Sequence, residues 1–271
     1  MGSVDIVPGV SGGTIALVTG IYPDFIAALH SINLKFIKTW LEGQQSEARQ
    51  QFQKIHWQFL LALGLGLLIA PFMMSHIIVF LMASYPGYLF GFFFGLIVAS
   101  SILILKRLVH VSPRTLIFMV IGLALAYVLS GLSSSAQLPH TPLFLFLCGF
   151  IGISAMILPG ISGAFIAYLL GQYTYMIEAI RTFHVALILV YSGGSALGMI
   201  TFARIVGFLL KRYENATLAF LIGLMIGALR LPLTHIVRHS DSWWISGTMA
   251  LVAFALMMMV DFLRRKSLLN P

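Results

Sequence analysis

The chain has 271 residues, of which 59% are hydrophobic and only 9% are charged. Because a soluble domain usually carries about 25% charged residues, this composition excludes an ordinary soluble protein and indicates a single membrane domain over residues 1–271. The net charge of +8 comes from basic residues that lie between apolar segments, which excludes a nucleic-acid-binding face and is typical of cytoplasmic loops.

The chain begins with an apolar region, about 4–29, that contains the motif Pro8-Gly9-Val10-Ser11-Gly12-Gly13-Thr14. A second apolar region, about 143–180, contains Pro159-Gly160-Ile161-Ser162-Gly163-Ala164. Proline breaks the helical hydrogen-bond ladder, and glycine permits backbone shapes that other residues resist. We therefore expect each region to form a re-entrant hairpin or a broken helix, which survives at membrane depth only inside protein or beside a wet cavity.

Six further segments are long and apolar enough to cross a membrane as helices. They are residues 59–83, 87–105, 115–132, 185–210, 216–235 and 243–262. The predicted fold is an all-α polytopic membrane protein with about six transmembrane helices and two re-entrant or broken elements.

The basic residues predict the orientation, because Lys and Arg are concentrated in cytoplasmic loops. Of the 16 basic residues, 12 fall in four regions, namely 30–58, 106–114, 211–212 and 264–266. These four basic regions all lie on the same side of the membrane under two conditions. Each of the two broken elements returns to the side from which it enters, and each of the six segments crosses the membrane. The prediction places this side, with both chain termini, in the cytoplasm.

The two motifs belong to an internal repeat. Matched positions include Gly20 with Gly171 and Tyr22 with Tyr173 at an offset of 151, and Gly66 with Gly194 at an offset of 128. The halves, about 1–132 and about 143–262, each hold one broken element and three crossings. Since three is odd, the second half is inverted relative to the first, and the two motifs are expected to meet near the midplane.

The motif residues are suited to bind an anion. The helix that follows the glycines directs free N–H groups and the positive end of its dipole toward the break, and small residues let a phosphate or carboxylate approach the backbone. The candidate phosphate ligands are Ser11, Gly12, Gly13, Thr14, Ser162 and Gly163. The alternative is that these small residues only let helices pack closely, although two inverted copies favour the anion site.

Charged residues inside apolar segments add to this hypothesis. Arg204 and Arg230 lie where a charge is costly and functional by default, and a guanidinium can bind phosphate with two parallel hydrogen bonds. Arg230 could instead reach the membrane interface from its helix end. Asp5 could cap the broken helix, balance an arginine or carry a proton. His235 and His239 lack the Cys or carboxylate that would complete a metal site.

The residues 5–14, followed by Gly20-Ile21-Tyr22-Pro23, resemble the signature of the bacterial polyprenyl-phosphate translocases, as do 159–163 and 223–230. The resemblance covers almost the whole chain. It implies a carrier in the bacterial cytoplasmic (inner) membrane that returns undecaprenyl phosphate from the outer to the cytoplasmic leaflet for cell-envelope glycan synthesis, including peptidoglycan. Alternating access around a midplane phosphate site is the expected mechanism.

The expected partners are undecaprenyl phosphate, or a related polyprenyl phosphate, and the surrounding membrane lipids. No cofactor is expected, and a homo-oligomer is compatible with the sequence. One alternative is a carrier of a small soluble anion that uses the same repeat. Another is a membrane lipid phosphatase, which needs a nucleophile with a general base or a metal cluster. The sequence offers neither, so an enzyme is not predicted.

Overall fold

The computed structural model describes residues 1–2, 11–32, 40, 44–108, 111–132, 138–239 and 243–269, and this part of the chain is helical without a strand. The helices are α1 (Gly12–Val18), α2 (Tyr22–Ser31), α3 (Gln45–Gln53), α4 (Trp57–Ser84), α5 (Pro86–Leu105), α6 (Pro113–Leu129), α7 (Pro142–Ile157), α8 (Gly163–Leu169), α9 (Tyr173–Arg181), α10 (Val185–Arg212), α11 (Glu214–Ala228), α12 (Arg230–His239) and α13 (Trp243–Leu269). The predicted all-α polytopic fold is confirmed.

Each predicted crossing segment falls on a helix, in chain order α4, α5, α6, α10, α11 with α12, and α13. Within the described ranges, four stretches are long and apolar enough to cross a membrane, namely Pro86–Leu105, Val185–Arg212, Glu214–Arg238 and Trp243–Leu263. Helix α6 has 17 residues, which gives about 25 Å against a hydrocarbon core of about 30 Å. The chain is a multi-pass membrane protein.

Three pairs of helices pack with their backbones in close contact: α5 with α13, α6 with α11, and α7 with α10. Glycines permit this approach, because the backbone of the partner helix occupies the place where a Cβ atom would lie. Gly95 meets Ala250 in the first pair, Gly223 meets Met119 in the second, and Gly194 meets Phe146 in the third. In a membrane, helices gain no hydrophobic energy from association, because lipid tails are as apolar as their side chains. Close packing at small residues stabilises their contacts instead.

The core is centred on α11, whose Leu221, Ile222, Leu224 and Met225 are at most 1% exposed. The same cluster of buried residues contains Ala16 of α1, Phe25 of α2 and Ile166 of α8. Helices α1, α2 and α8 therefore each bury one face against the rest of the protein, and burial in protein is the condition for interrupted backbone at membrane depth.

Each motif region contains two short helices within the described residues. Helices α1 and α2 have 7 and 10 residues, and α8 and α9 have 7 and 9, so none exceeds about 15 Å. The turn inside each pair contains a glycine in the left-handed region, Gly20 at φ 73° and Gly171 at φ 68°, a conformation that glycine adopts without steric cost. One detail differs from the expectation. The region 143–180 contains the 16-residue helix α7 ahead of its broken element, so it is more than a hairpin.

Candidate functional site

Ser11 anchors the first motif to the second half of the chain. It caps α1, whose first residue is Gly12, and its Oγ accepts a hydrogen bond from Gly13 N at 3.1 Å. The same hydroxyl donates toward two carbonyl oxygens at the end of α7, those of Met156 at 3.2 Å and Leu158 at 3.3 Å. Ser11 is 1% exposed, so in this structure its hydroxyl serves to hold the motif in place.

A second hydrogen bond joins the two motifs directly. Gly160 N donates to Thr14 Oγ1 at 2.9 Å, and Thr14 is 1% exposed. Because a hydroxyl that accepts one hydrogen bond keeps its own proton, Thr14 can hold the junction and still donate to an anion. The contacts made by Ser11 and Thr14 define what we call the motif junction.

Close packing explains part of the small-residue pattern. A Cβ atom at Gly13 would lie 2.9 Å from the Ile157 oxygen, and one at Gly163 would lie 2.7 Å from the Gly152 oxygen. Both glycines are thus needed for packing against α7, as the alternative interpretation expects. Ser162 caps α8 with an extended backbone (φ −92°, ψ 128°), and its hydroxyl makes no capping bond. The Ser11 hydroxyl is thus occupied in capping α1, whereas the Ser162 hydroxyl makes no such bond to α8.

Replacing Thr14 by valine tests the motif junction. The change keeps the side-chain volume but removes the acceptor for Gly160 N. A buried N–H without a partner costs about 1–3 kcal/mol, so we expect Thr14→Val to lower the thermal unfolding temperature in detergent. Thr14→Ser keeps the hydroxyl and should stay near the wild type. Equal unfolding temperatures for the two variants would contradict a stabilising role for this bond.

The two predicted arginines contact different parts of the fold. Arg204, on α10, donates from Nη2 to the Ile32 oxygen at 3.4 Å, just after the end of α2. Arg230 donates from Nη1 to the Tyr127 oxygen at 2.8 Å, and its guanidinium carbon lies 4.3 Å from the centre of the Tyr127 ring. Neither bond reaches a residue of the motif junction, so the structure does not bring the two arginines together there.

The remaining predicted residues have different outcomes. Asp5 lies outside the described residues, so its three roles remain predictions. His235 stacks on Phe90 with ring centres 4.2 Å apart, which is a packing contact rather than metal ligation. No group of three His, Cys, Asp or Glu side chains able to hold a metal ion occurs in the part of the chain that the structure describes.

A cavity of about 650 Å³ lies beside the first broken element, between α2, α5, α10 and α11. Its apolar wall includes Leu17, Ile26, Ile104 and Leu218, and its polar wall includes Tyr22, His30, Ser31, His56, Arg107, Lys211 and Glu214. Arg204 lies next to it, because its partner Ile32 follows the wall residue Ser31.

Sequence reasoning did not single out the polar residues of this cavity. Tyr22 was visible as a repeat match to Tyr173, but its position in a cavity wall depends on tertiary packing. The charge distribution predicts only that Arg107 and Lys211 lie in cytoplasmic loops. That α5 and α10 bring these two charges to one cavity is a property of the helix arrangement.

Comparison with known proteins agrees with this architecture. A family model described as undecaprenyl phosphate translocase-like matches residues 1–252. A polyprenyl-phosphate transporter of Vibrio cholerae serotype O1 (strain ATCC 39315 / El Tor Inaba N16961) is 36% identical over 248 residues, covering 92% of this chain and 79% of the relative. A polyprenyl-phosphate transporter of Staphylococcus aureus (strain NCTC 8325 / PS 47) is 27% identical over 274 residues, covering 94% and 90%. No solved structure matches. Family and relatives carry the names of transporters, in agreement with the prediction that this chain is not an enzyme.

Proposed function

Because the chain belongs to the undecaprenyl phosphate translocase-like family, we propose that it carries undecaprenyl phosphate from the outer to the cytoplasmic leaflet of the bacterial cytoplasmic membrane, where the lipid serves cell-envelope glycan synthesis. The observation that carries this proposal is the likeness to two polyprenyl-phosphate transporters over 92% and 94% of the chain. A charged head group cannot cross hydrocarbon unaided, which is the physical reason for a carrier.

Matching helix bounds support an inverted repeat as the basis of transport. Helices α4 and α10 both have 28 residues and begin 128 positions apart. The residues that follow them, Tyr85 and Tyr213, have nearly the same backbone angles, with φ −140° and −136° and ψ 51° and 49°. The left-handed glycines Gly20 and Gly171 are 151 positions apart, which is the offset of the motifs.

The helix packing is reciprocal between the two halves. Helix α5 of the first half packs against α13 of the second, and its counterpart α11 packs against α6 of the first. A two-fold relation between the halves produces such an exchange, because each contact is then made twice with the roles reversed. With three crossings in each half, the relation is an inverted one, as in many secondary transporters.

We place the midplane phosphate site at the motif junction. The residues proposed to hold the phosphate there are Ser11, Gly12, Gly13, Thr14, Ser162 and Gly163, while the prenyl tail stays in lipid between helices. Since Ser11 and Thr14 also bond the backbone of the second half, phosphate binding would replace protein–protein hydrogen bonds by protein–ligand bonds. That exchange couples ligand binding to movement of the two halves.

Arg204 and Arg230 contact different parts of the fold, so they suit two successive positions of the phosphate along a transport path better than one shared binding site. Arg204 bonds to the end of α2, which leads into the region 30–58 predicted to be cytoplasmic. Arg230 bonds to Tyr127 near the end of α6. The segment 133–142 that follows α6 has no Asp, Glu, Lys or Arg, and the predicted orientation places it outside. We propose that Arg230 meets the phosphate on the outer side and Arg204 meets it on the cytoplasmic side.

Two cavities of unequal size agree with an alternating mechanism. Tyr22 and Ile26 line the cavity of about 650 Å³, and their repeat counterparts Tyr173 and Ile177 line a second cavity of about 270 Å³. Equivalent cavities that differ in volume are expected when one side is open and the other is closed. The larger cavity lies on the side that the charge distribution assigns to the cytoplasm.

Leaflet exchange in liposomes tests the proposed function. Purified protein should accelerate the inward movement of a fluorescent polyprenyl phosphate, followed by loss of accessibility to an external quencher. The matching polyprenol, which lacks phosphate, should not be accelerated. Uptake of inorganic phosphate without movement of the lipid would instead support a carrier of a small soluble anion.

Arg204→Ala should lower the exchange rate at an unchanged protein level. A hydrogen bond to a charged group is worth about 1.5–3 kcal/mol, so the rate should fall by about tenfold or more. Arg212→Ala is the matched control, because it removes an exposed arginine from the same helix. Equal rates for the two variants would remove Arg204 from the proposed path.

A further inference from the structure

We propose that the cavity lined by Tyr22, Arg107 and Lys211 is a second phosphate site, at the end of the path predicted to face the cytoplasm, and that its ligand is a prenyl phosphate. This inference rests on the proposed function and extends it. None of the six candidate ligands at the motif junction is in the cavity wall, so the two sites are separate. Two further observations, on a hydroxyl and on charge, point to a ligand.

The first observation is the Tyr22 hydroxyl. Tyr22 is 1% exposed and lines the cavity, yet its oxygen has no hydrogen-bond partner among the described residues. Buried polar groups are nearly always hydrogen-bonded, because an unpaired one loses its water without compensation. The oxygen itself is not exposed to the cavity, so it meets a phosphate oxygen after a small side-chain movement, and that oxygen then supplies the missing acceptor.

The second observation is the charge of the wall. Arg107, just after α5, and Lys211, on α10, bring two positive charges to the cavity from different helices, and the wall contains one acidic residue, Glu214. Within the described ranges, neither cation has an ion pair with a carboxylate. Both side chains are exposed, so their charges are available to an anionic ligand that enters the cavity.

The apolar wall indicates what the phosphate is attached to. Ile26 and Ile104 are buried at 3% exposure, and Leu17 at 5%, and all three line the cavity. A volume of about 650 Å³ is in the range of pockets for whole organic ligands and exceeds what a free phosphate ion fills. A phosphate head with the first isoprene units of its tail matches both parts of the wall.

Photolabelling of the full-length protein in detergent tests the site by position. A farnesyl phosphate analogue with a diazirine in its tail should label peptides covering residues 17–31 and 207–218, and excess farnesyl phosphate should suppress the label. Excess inorganic phosphate or farnesol should not suppress it. Suppression by inorganic phosphate as strong as by farnesyl phosphate would overturn the assignment of a prenyl ligand.

Two double variants that remove the same net charge distinguish binding at the cavity wall from a nonspecific effect of positive charge on this side of the protein. Arg107→Gln with Lys211→Gln should reduce labelling of these peptides about tenfold, because two charge-assisted hydrogen bonds are lost. Lys106→Gln with Arg212→Gln removes the same charge from the adjacent positions, which are outside the wall, and should change labelling less than twofold. Equal labelling in the two double variants overturns the second site.

Tyr22→Phe distinguishes a role of the hydroxyl in ligand binding from a role in protein stability. Removing an unpaired buried hydroxyl should leave the unfolding temperature unchanged or higher, while labelling of the two peptides falls several-fold. Unchanged labelling would overturn the role of this hydroxyl. If the wild type is neither labelled nor active in leaflet exchange, the proposed function fails. If it exchanges lipid but these variants behave like the wild type, only the second site fails.

Discussion

A disulfide between α2 and α10 is expected to stop transport reversibly. In an Ile26→Cys, Gly207→Cys variant carrying Cys148→Ala, the two new thiols can meet. A Cβ atom at Gly207 lies 3.3 Å from Ile26 Cγ2 and more than 4 Å from Ile26 Cβ, so the Cβ–Cβ distance is close to the upper end of the range of about 3.5–4.5 Å that a disulfide needs. We expect the oxidised protein to exchange lipid at less than about a tenth of the reduced rate, as measured in liposomes, since locking one state blocks alternation.

Helices α2 and α10 are chosen for the cross-link because the contacts of α2 differ from those of its repeat counterpart α9. Helix α2 packs against both α4 and α10, whereas its counterpart α9 packs against α10. Under the proposed repeat, contact of α9 with α4 is equivalent to contact of α2 with α10, yet among the described residues only the second is extensive. The opposite state would therefore form the first contact and break the second, which the disulfide prevents.

The reduced protein and the two single-cysteine variants are the controls for this experiment. Because Ile26 and Gly207 both line the cavity, each variant is compared with itself: the oxidant should leave the rate of each single-cysteine variant unchanged, and reduction should restore the double variant to its rate before oxidation. Mass spectrometry of the oxidised sample establishes that the bond has formed. A complete cross-link with undiminished exchange would show that α2 and α10 stay together throughout transport, and would contradict alternating access at this cavity.

Much of the helix arrangement could be predicted from the sequence, because it depends on local properties. Apolar length located α4, α5, α10 and α13 to within a few residues, apart from the C-terminal extension of α13 to Leu269. The second Pro-Gly motif lies between α7 and α8, and the Pro-Gly pair of the first lies outside the described residues. The division between α11 and α12 was not predicted, although Pro232 lies there and removes a helical donor. Hydropathy alone does not reveal a helix break within a continuous apolar segment.

The contacts of the site were harder to predict, because they depend on which backbone lies opposite each side chain. The sequence marked Ser11 and Thr14 as polar residues near a helix start, but it contains no sign that they bond Met156 and Gly160. Tyr22 illustrates the same limit. A tyrosine in an apolar region usually finds a hydrogen-bond partner, and only the packed structure shows its oxygen without one among the described residues.

Gly160→Ala is expected to destabilise the protein strongly. Gly160 has φ +90°, and a Cβ atom there would lie 2.8 Å from the Leu224 oxygen. A left-handed backbone costs a residue with a Cβ about 1–2 kcal/mol, and overpacking a close contact costs about 1–3 kcal/mol more. The substitution also displaces the N–H that bonds Thr14. We expect a loss of about 2–5 kcal/mol in unfolding free energy, measured by denaturation in mixed micelles.

Gly64→Ala is the matched control, because a Cβ atom at Gly64 meets nothing within 4 Å. Alanine is the better helix former by up to about 1 kcal/mol, so this variant should be as stable as the wild type or more so. The contrast separates two uses of glycine in this fold, since Gly160 is required by its backbone angle and its neighbour, while Gly64 is not. Equal stability of the two variants would mean that the second motif tolerates a side chain at its turn, which would contradict the steric requirement for glycine at position 160.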